Sequence, residues 1–108
     1  MPTPADEVKG SREFYKQLLG LKPGTKDRQV VDHALESLKL NINAGIKIQK
    51  THWPKYYIRK YDVTNLWKLN LTAEARIVYT ILGEPGSWVV VVLEVFMGHK
   101  EYDKRFGY

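Results

Sequence analysis

Lys68, Asn70, Arg76, His99, Lys100 and Tyr102 are the residues of this chain whose types could act together on a phosphodiester. Lysine and arginine can balance the charge that develops on a reacting phosphate, while an imidazole or a phenol can move a proton. The set contains no carboxylate pair and no grouping spaced like metal ligands, since His33, His52 and His99 fall in three separate segments. His33 reads as a helix-surface residue, and His52, beside Trp53 and Pro54, as a locally packed one. A Gly-rich phosphate loop, a His-Glu-x-x-His helix and a Ser/His/Asp arrangement are all missing, which removes most familiar enzyme classes. A chance grouping stands beside the functional reading.

Three antiparallel strands would be needed to bring that set together. Asn65 to Leu71 alternates, placing Trp67, Leu69 and Leu71 on one face and Lys68 and Asn70 on the other. Ala75 to Leu82 predicts a second strand, with Arg76, Val78 and Thr80 opposite Ile77, Tyr79 and Ile81. After the turn Gly83-Glu84-Pro85-Gly86, the valine-rich run from Trp88 to Met97 is too continuously apolar for an edge and predicts a central strand. Hairpin connections then put Asn70, Arg76 and His99 at one end of the sheet. The residues from Gly98 onward read as an irregular tail or a short final helix on the sheet.

Ahead of the sheet, Thr3-Pro4-Ala5-Asp6 looks like a helix start, and Val8, Tyr15, Leu18 and Leu19 recur near helical spacing up to Gly20. A second helix is expected from Thr25, with Val31, Ala34, Leu35 and Leu38 as its apolar stripe. The two form a predicted helical hairpin. From Asn41 to Asp62 periodicity is lost, and a long connection with at most a short strand is expected.

That connection holds most of the positive charge. Of a net +5 in 108 residues, the stretch from Lys47 to Lys68 carries six basic residues against Asp62 alone. It also carries Trp53, Tyr56, Tyr57, Tyr61 and Trp67. Cations interleaved with flat rings suit RNA, the cations on phosphates and the rings on unstacked bases. Lys55, Arg59 and Lys60, with Asn70, are the candidate RNA contacts. The same segment reads equally as a solvated lysine-rich connection whose aromatics point into the core.

The length fits one domain, residues 1–108, and a 12% aromatic share is enough to fill its core. The chain has no cysteine, so disulfide frameworks, thiolate metal sites and cysteine nucleophiles drop out. No apolar run approaches the ~20 residues of a membrane span, and the first ten residues do not read as a targeting peptide. A cytoplasmic protein is expected.

The blocks WPKYYIRKYDVTNLWKLNL, ARIVYTILGEPGSWVVVVLEVF and GHKEYDKRFGY resemble the RelE/ParE toxin superfamily, the mRNA interferases and their relatives from toxin–antitoxin pairs. LWKLNL resembles the family's basic strand, RIVY its arginine-bearing strand, and HKEYDKRF its closing His/Arg-rich segment. The resemblance implies an α+β fold, with an N-terminal helical hairpin packed on a small, mainly antiparallel twisted sheet. It implies no cofactor and no metal. It makes Arg76 the arginine that contacts the scissile phosphate and Lys68 a lysine that positions RNA, while a second family lysine is replaced by Asn70. The late arginine of the RelE type falls near Lys100, and the HigB-like pattern makes His99 and Tyr102 the proton-transfer candidates. The implied partners are mRNA in the ribosomal A site and a cognate antitoxin. The departures at Asn70 and Lys100 leave a second expectation, a catalytically inactive binding module of the same fold, acting on protein or RNA as the gyrase-inhibiting branch does.

Overall fold

The first regular element is a strand, where a helix was expected. In the computed structural model, which describes residues 2–107, Glu7–Gly10 forms β1 and pairs in parallel with Val89 to Val92. The backbone groups ahead of it are claimed by other segments: the Ala5 N–H donates to Lys39 O at 2.9 Å and the Asp6 N–H to Trp88 O at 2.8 Å. The Asp6 carboxylate in turn accepts the Trp88 N–H at 2.6 Å. A free edge on the valine-rich strand outcompetes the helix-start signal of Thr3 and Pro4. Helix α1 starts later, at Arg12–Leu19, with Ser11 as N-cap accepting the Phe14 N–H at 3.0 Å. The helices therefore follow a strand and do not open the chain.

Helix α2, Lys26–Leu40, begins where the sequence places it, with Thr25 as N-cap, and buries Val31, Ala34 and Leu38. Residues beyond it form β2 (Ile46–Lys47), a 3-10 turn (Lys50–His52) and α3 (Lys55–Tyr61). The sequence reading has no counterpart to α3, a helix of two turns led by Pro54 with only Tyr57 fully buried. The remaining elements are β3 (Trp67–Asn70), β4 (Arg76–Glu84), β5 (Ser87–Phe96) and α4 (His99–Phe106). The β4–β5 turn is Pro85-Gly86, with Gly86 at φ +91°, backbone that glycine adopts without strain.

The five strands lie in the order β1-β5-β4-β3-β2, antiparallel except for β1 with β5. Strand β5 is paired on both edges, as its apolar run predicts. One sheet face, including Ile77, Tyr79, Val90 and Val92, packs on Phe14 of α1 and on Val31, Ala34 and Leu38 of α2. The other, including Val78, Leu93 and Phe96, packs on Tyr57 of α3 and Tyr102 of α4. Each fully buried aliphatic side chain in these layers contributes roughly 1.5–3 kcal/mol.

One irregularity matters for α4. Val78 pairs with Glu94 but Tyr79 pairs with Val92, so Leu93 is an extra residue in β5. The bulge brings Leu93 and Glu94 to the same face, under α4. Glu94 is 6% exposed there and takes Arg105 of α4 as its ion-pair partner.

Candidate active site at the β3–β4–α4 corner

Antiparallel register assembles the site. Asn70 of β3 stands opposite Arg76 of β4, which stands opposite Phe96 of β5, and α4 begins three residues later at His99. Lys68, opposite Val78, is the next residue along β3 on this face. The sequence-based expectation that Asn70, Arg76 and His99 share one end of the sheet matches this geometry.

Tyr102 is the floor of the corner. Its ring is 2% exposed, stacked on Phe106 with centroids 4.3 Å apart and met edge-on by Phe96 at 5.6 Å. The Arg76 guanidinium carbon lies 4.5 Å from the ring centroid, and Lys68 Nζ lies 5.7 Å from it. Both are within cation–π range, which draws the two cations together despite their like charge. Arg76 Nε is buried without a hydrogen-bond partner. Among the described residues neither Arg76 nor Lys68 forms an ion pair, whereas Lys9, Arg28, Lys60 and Arg105 each hold a carboxylate. Arg76 and Lys68 are thus two of the cations that no carboxylate of the described residues engages.

His99 is more than half exposed, its Nδ1 4.0 Å from Oε1 of Glu74 in the β3–β4 turn. Glu74 was not singled out from the sequence; its only signal is its place two residues ahead of Arg76. Lys100 is exposed in the first turn of α4, and Asn70 is exposed beside Arg76.

The candidate RNA contacts divide. Lys55 and Arg59 are exposed one helical turn apart on α3. Lys60 instead turns to Glu13 of α1, 3.0 Å away, and to the Tyr56 hydroxyl, also 3.0 Å away. The hydrogen bond from Lys60 holds the Glu13 carboxyl below its ordinary value, and those to Tyr56 and Glu13 push the Lys60 amine above its own.

Arg105, in the closing segment, is equally committed. Its Nε and Nη2 donate to the two Glu94 oxygens, and its guanidinium carbon lies 3.8 Å from the Tyr56 ring centroid. Burial works against its charge, but the hydrogen bond to Glu94 prevails and raises its pKa. Tyr57, next to this pair, has its phenol pushed far above the ordinary range by burial, with the Glu94 charge adding to the effect. Among the described residues no three His, Asp or Glu side chains converge as metal ligands, and no helix is long and apolar enough to cross a membrane.

No protein-family model and no curated protein matches the chain. Among solved structures, a YoeB/ParE toxin from Agrobacterium tumefaciens superposes with a TM-score of 0.58 over 94% of this chain and 99% of that one, at 16% identity. The chain shares the fold of that YoeB/ParE toxin. In this fold, the corner built from Lys68, Arg76, Tyr102 and His99 lies where α4 meets β3 and β4. The expected α+β class holds, with β1 preceding the helices.

Proposed function

We propose that the chain is the toxin of a type II toxin–antitoxin pair and that it cuts mRNA in the ribosomal A site without a metal ion. The observation that carries this reading is the unpaired Arg76 guanidinium held over the Tyr102 ring beside Lys68. The RNA 2′-oxygen bonds to the adjacent phosphorus and the bond from phosphorus to the 5′-oxygen breaks, leaving a 2′,3′-cyclic phosphate and a 5′-hydroxyl. Arg76 stabilises the extra negative charge of the phosphorane, and Lys68 and Lys100 assist. His99, at the rim of the corner, takes the proton of the 2′-hydroxyl and returns it to the leaving 5′-oxygen. Tyr102, buried under the cations, fits a platform better than a proton donor. Lys55 and Arg59 carry the RNA backbone, while Lys60 is held by Glu13. The antitoxin would cover the same basic corner.

Inducing the protein in cells and mapping mRNA 5′ ends by primer extension tests this. Cuts inside translated codons, absent with Arg76→Ala, are the expected result. An Arg76→Ala protein as growth-arresting as wild type would sink the assignment. Asn70 in place of a lysine, and the engagement of Arg105 by Glu94, favour the second reading, a binding module without nuclease activity. Intact messages after induction would select it.

A further inference from the structure

From Lys47 to Tyr61 the chain has five cations and no acid. Lys60 is held by Glu13, but Lys47, Lys50, Lys55 and Arg59 form no ion pair among the described residues. Two of these, Lys47 and Lys50, line a cavity of about 410 Å³ with Ile48, Gln49, Trp53 and Thr64. Its volume is in the range that small ligands occupy. Trp53 is half-buried, and its indole N–H donates to Ile48 O at 2.8 Å, so the ring is fixed before anything binds. The Gln49 side chain, exposed at the start of the 3-10 turn, makes no capping hydrogen bond and can read a polar edge.

The cavity lies along the β2–β3 pair from Lys68, in the direction away from Asn70. Ile46 pairs with Lys68, the Ile48 N–H donates to Leu66 O at 2.8 Å, and Thr64 is four residues from Lys68, no more than about 14 Å of chain. A strand of RNA held at Arg76 and Lys68 can reach it.

We propose that this cavity is a second RNA subsite. It takes one unstacked base of a single strand against Trp53, with the neighbouring phosphates on Lys47 and Lys50. A flat ring flanked by unpaired cations is the combination that single-stranded nucleic acid uses. The proposal rests on the RNA-cutting reading of the corner and adds a place where the strand is gripped away from the cut.

The test is anisotropy of a short, labelled 2′-O-methyl oligoribonucleotide, which cannot be cut, titrated with the full chain at several salt concentrations. In the Lys47→Ala/Lys50→Ala variant, the slope of log affinity against log salt should shrink by about 1.4, that is ~0.7 for each lost phosphate contact. Trp53→Ala should weaken binding by about five-fold or more. Because Trp53 also packs on the core, Trp53→Phe is the companion variant and should recover part of that loss. An unchanged salt slope in the lysine variant, with wild-type binding intact, overturns the subsite and leaves the cleavage reading standing. No binding by wild type at low salt overturns the subsite, while the cleavage reading stands or falls on the primer-extension experiment. An equal loss of affinity for polyglutamate would assign the cavity to an acidic protein segment and overturn the RNA proposal.

Discussion

Arg105 grips Glu94 through two parallel hydrogen bonds, Nε to Oε1 at 2.9 Å and Nη2 to Oε2 at 3.2 Å, and so joins α4 to the bulge in β5. Glu94 is nearly closed off from water, so the pair is a latch whose halves depend on each other. Removing one partner of a buried pair leaves the other charged and unsolvated, at a cost of about 3–5 kcal/mol, whereas an apolar pair of similar volume is close to neutral. Since Arg105 is 31% exposed, Arg105→Ala should lose about 3 kcal/mol in urea unfolding, the low end of that range. Glu94→Leu/Arg105→Met should recover most of it. A single variant as stable as wild type would show the latch to be idle.

The platform assigned to Tyr102 separates from a proton-transfer role by one oxygen atom. Tyr102→Phe keeps the ring under Arg76 and the stack on Phe106. Cleavage by that variant should stay within about ten-fold of wild type, whereas loss of a general acid or base costs about 10²–10⁴-fold. Tyr102→Leu removes the ring and should lower cleavage by far more than Tyr102→Phe. A primer-extension time course on the three proteins reads the difference, provided circular dichroism shows each folded.

Tyr79 ties the loop after α2 to the sheet. Its hydroxyl donates to Ile42 O at 2.9 Å and accepts the Gly45 N–H at 3.0 Å. Burial pushes the phenol up to about 12, above its value in the unfolded chain. The neutral form is therefore the one that folding favours. Its stability contribution is whole below pH ~10, the unfolded value, and is lost as the pH rises through about 12. Spectroscopic titration should show Tyr79 still neutral at pH 10, ionising only as the pH nears about 12. Tyr79→Phe leaves the carbonyl and the amide unpaired and should cost about 1–3 kcal/mol at neutral pH. Ionisation of Tyr79 near the ordinary tyrosine value would contradict this.

What the sequence shows of this molecule follows from how far each signal reaches. The alternation of Trp67 to Leu71 and of Arg76 to Ile81 is local, and both strands and their faces can be read from it. The corner follows, because hairpins leave little freedom in which ends meet. Strand β1 is not legible, because its four residues carry no alternating apolar signal of their own and are held by a partner 82 residues away. Helix α3 is too short for a period to emerge, and its tyrosines are spread around the helix, toward Tyr57 in the core and toward Lys60 outside it. The bulge at Leu93 and the Glu94–Arg105 latch depend on register, which residue types alone do not specify. Glu74 belongs to the corner only because α4 returns His99 to it.

Asn70 offers the sharpest test between a nuclease and a binding module. It stands directly across from Arg76, exposed, where the sequence resemblance implies a lysine. An amide can position a phosphate but cannot share its charge, so Asn70→Lys places a third cation beside Arg76 and Lys68. Directly opposed like charges cost about 0.2–1 kcal/mol of folding stability, a loss the domain should tolerate. If the corner is a working but cation-poor nuclease, Asn70→Lys should raise the cleavage rate, by up to about ten-fold if the new contact strengthens by 1.4 kcal/mol in the transition state. If the chain binds RNA without cutting it, the same variant should tighten binding and steepen its salt dependence, with messages left intact. Measuring cleavage and binding on the one variant separates the two, and a protein that changes in neither would remove Asn70 from the site.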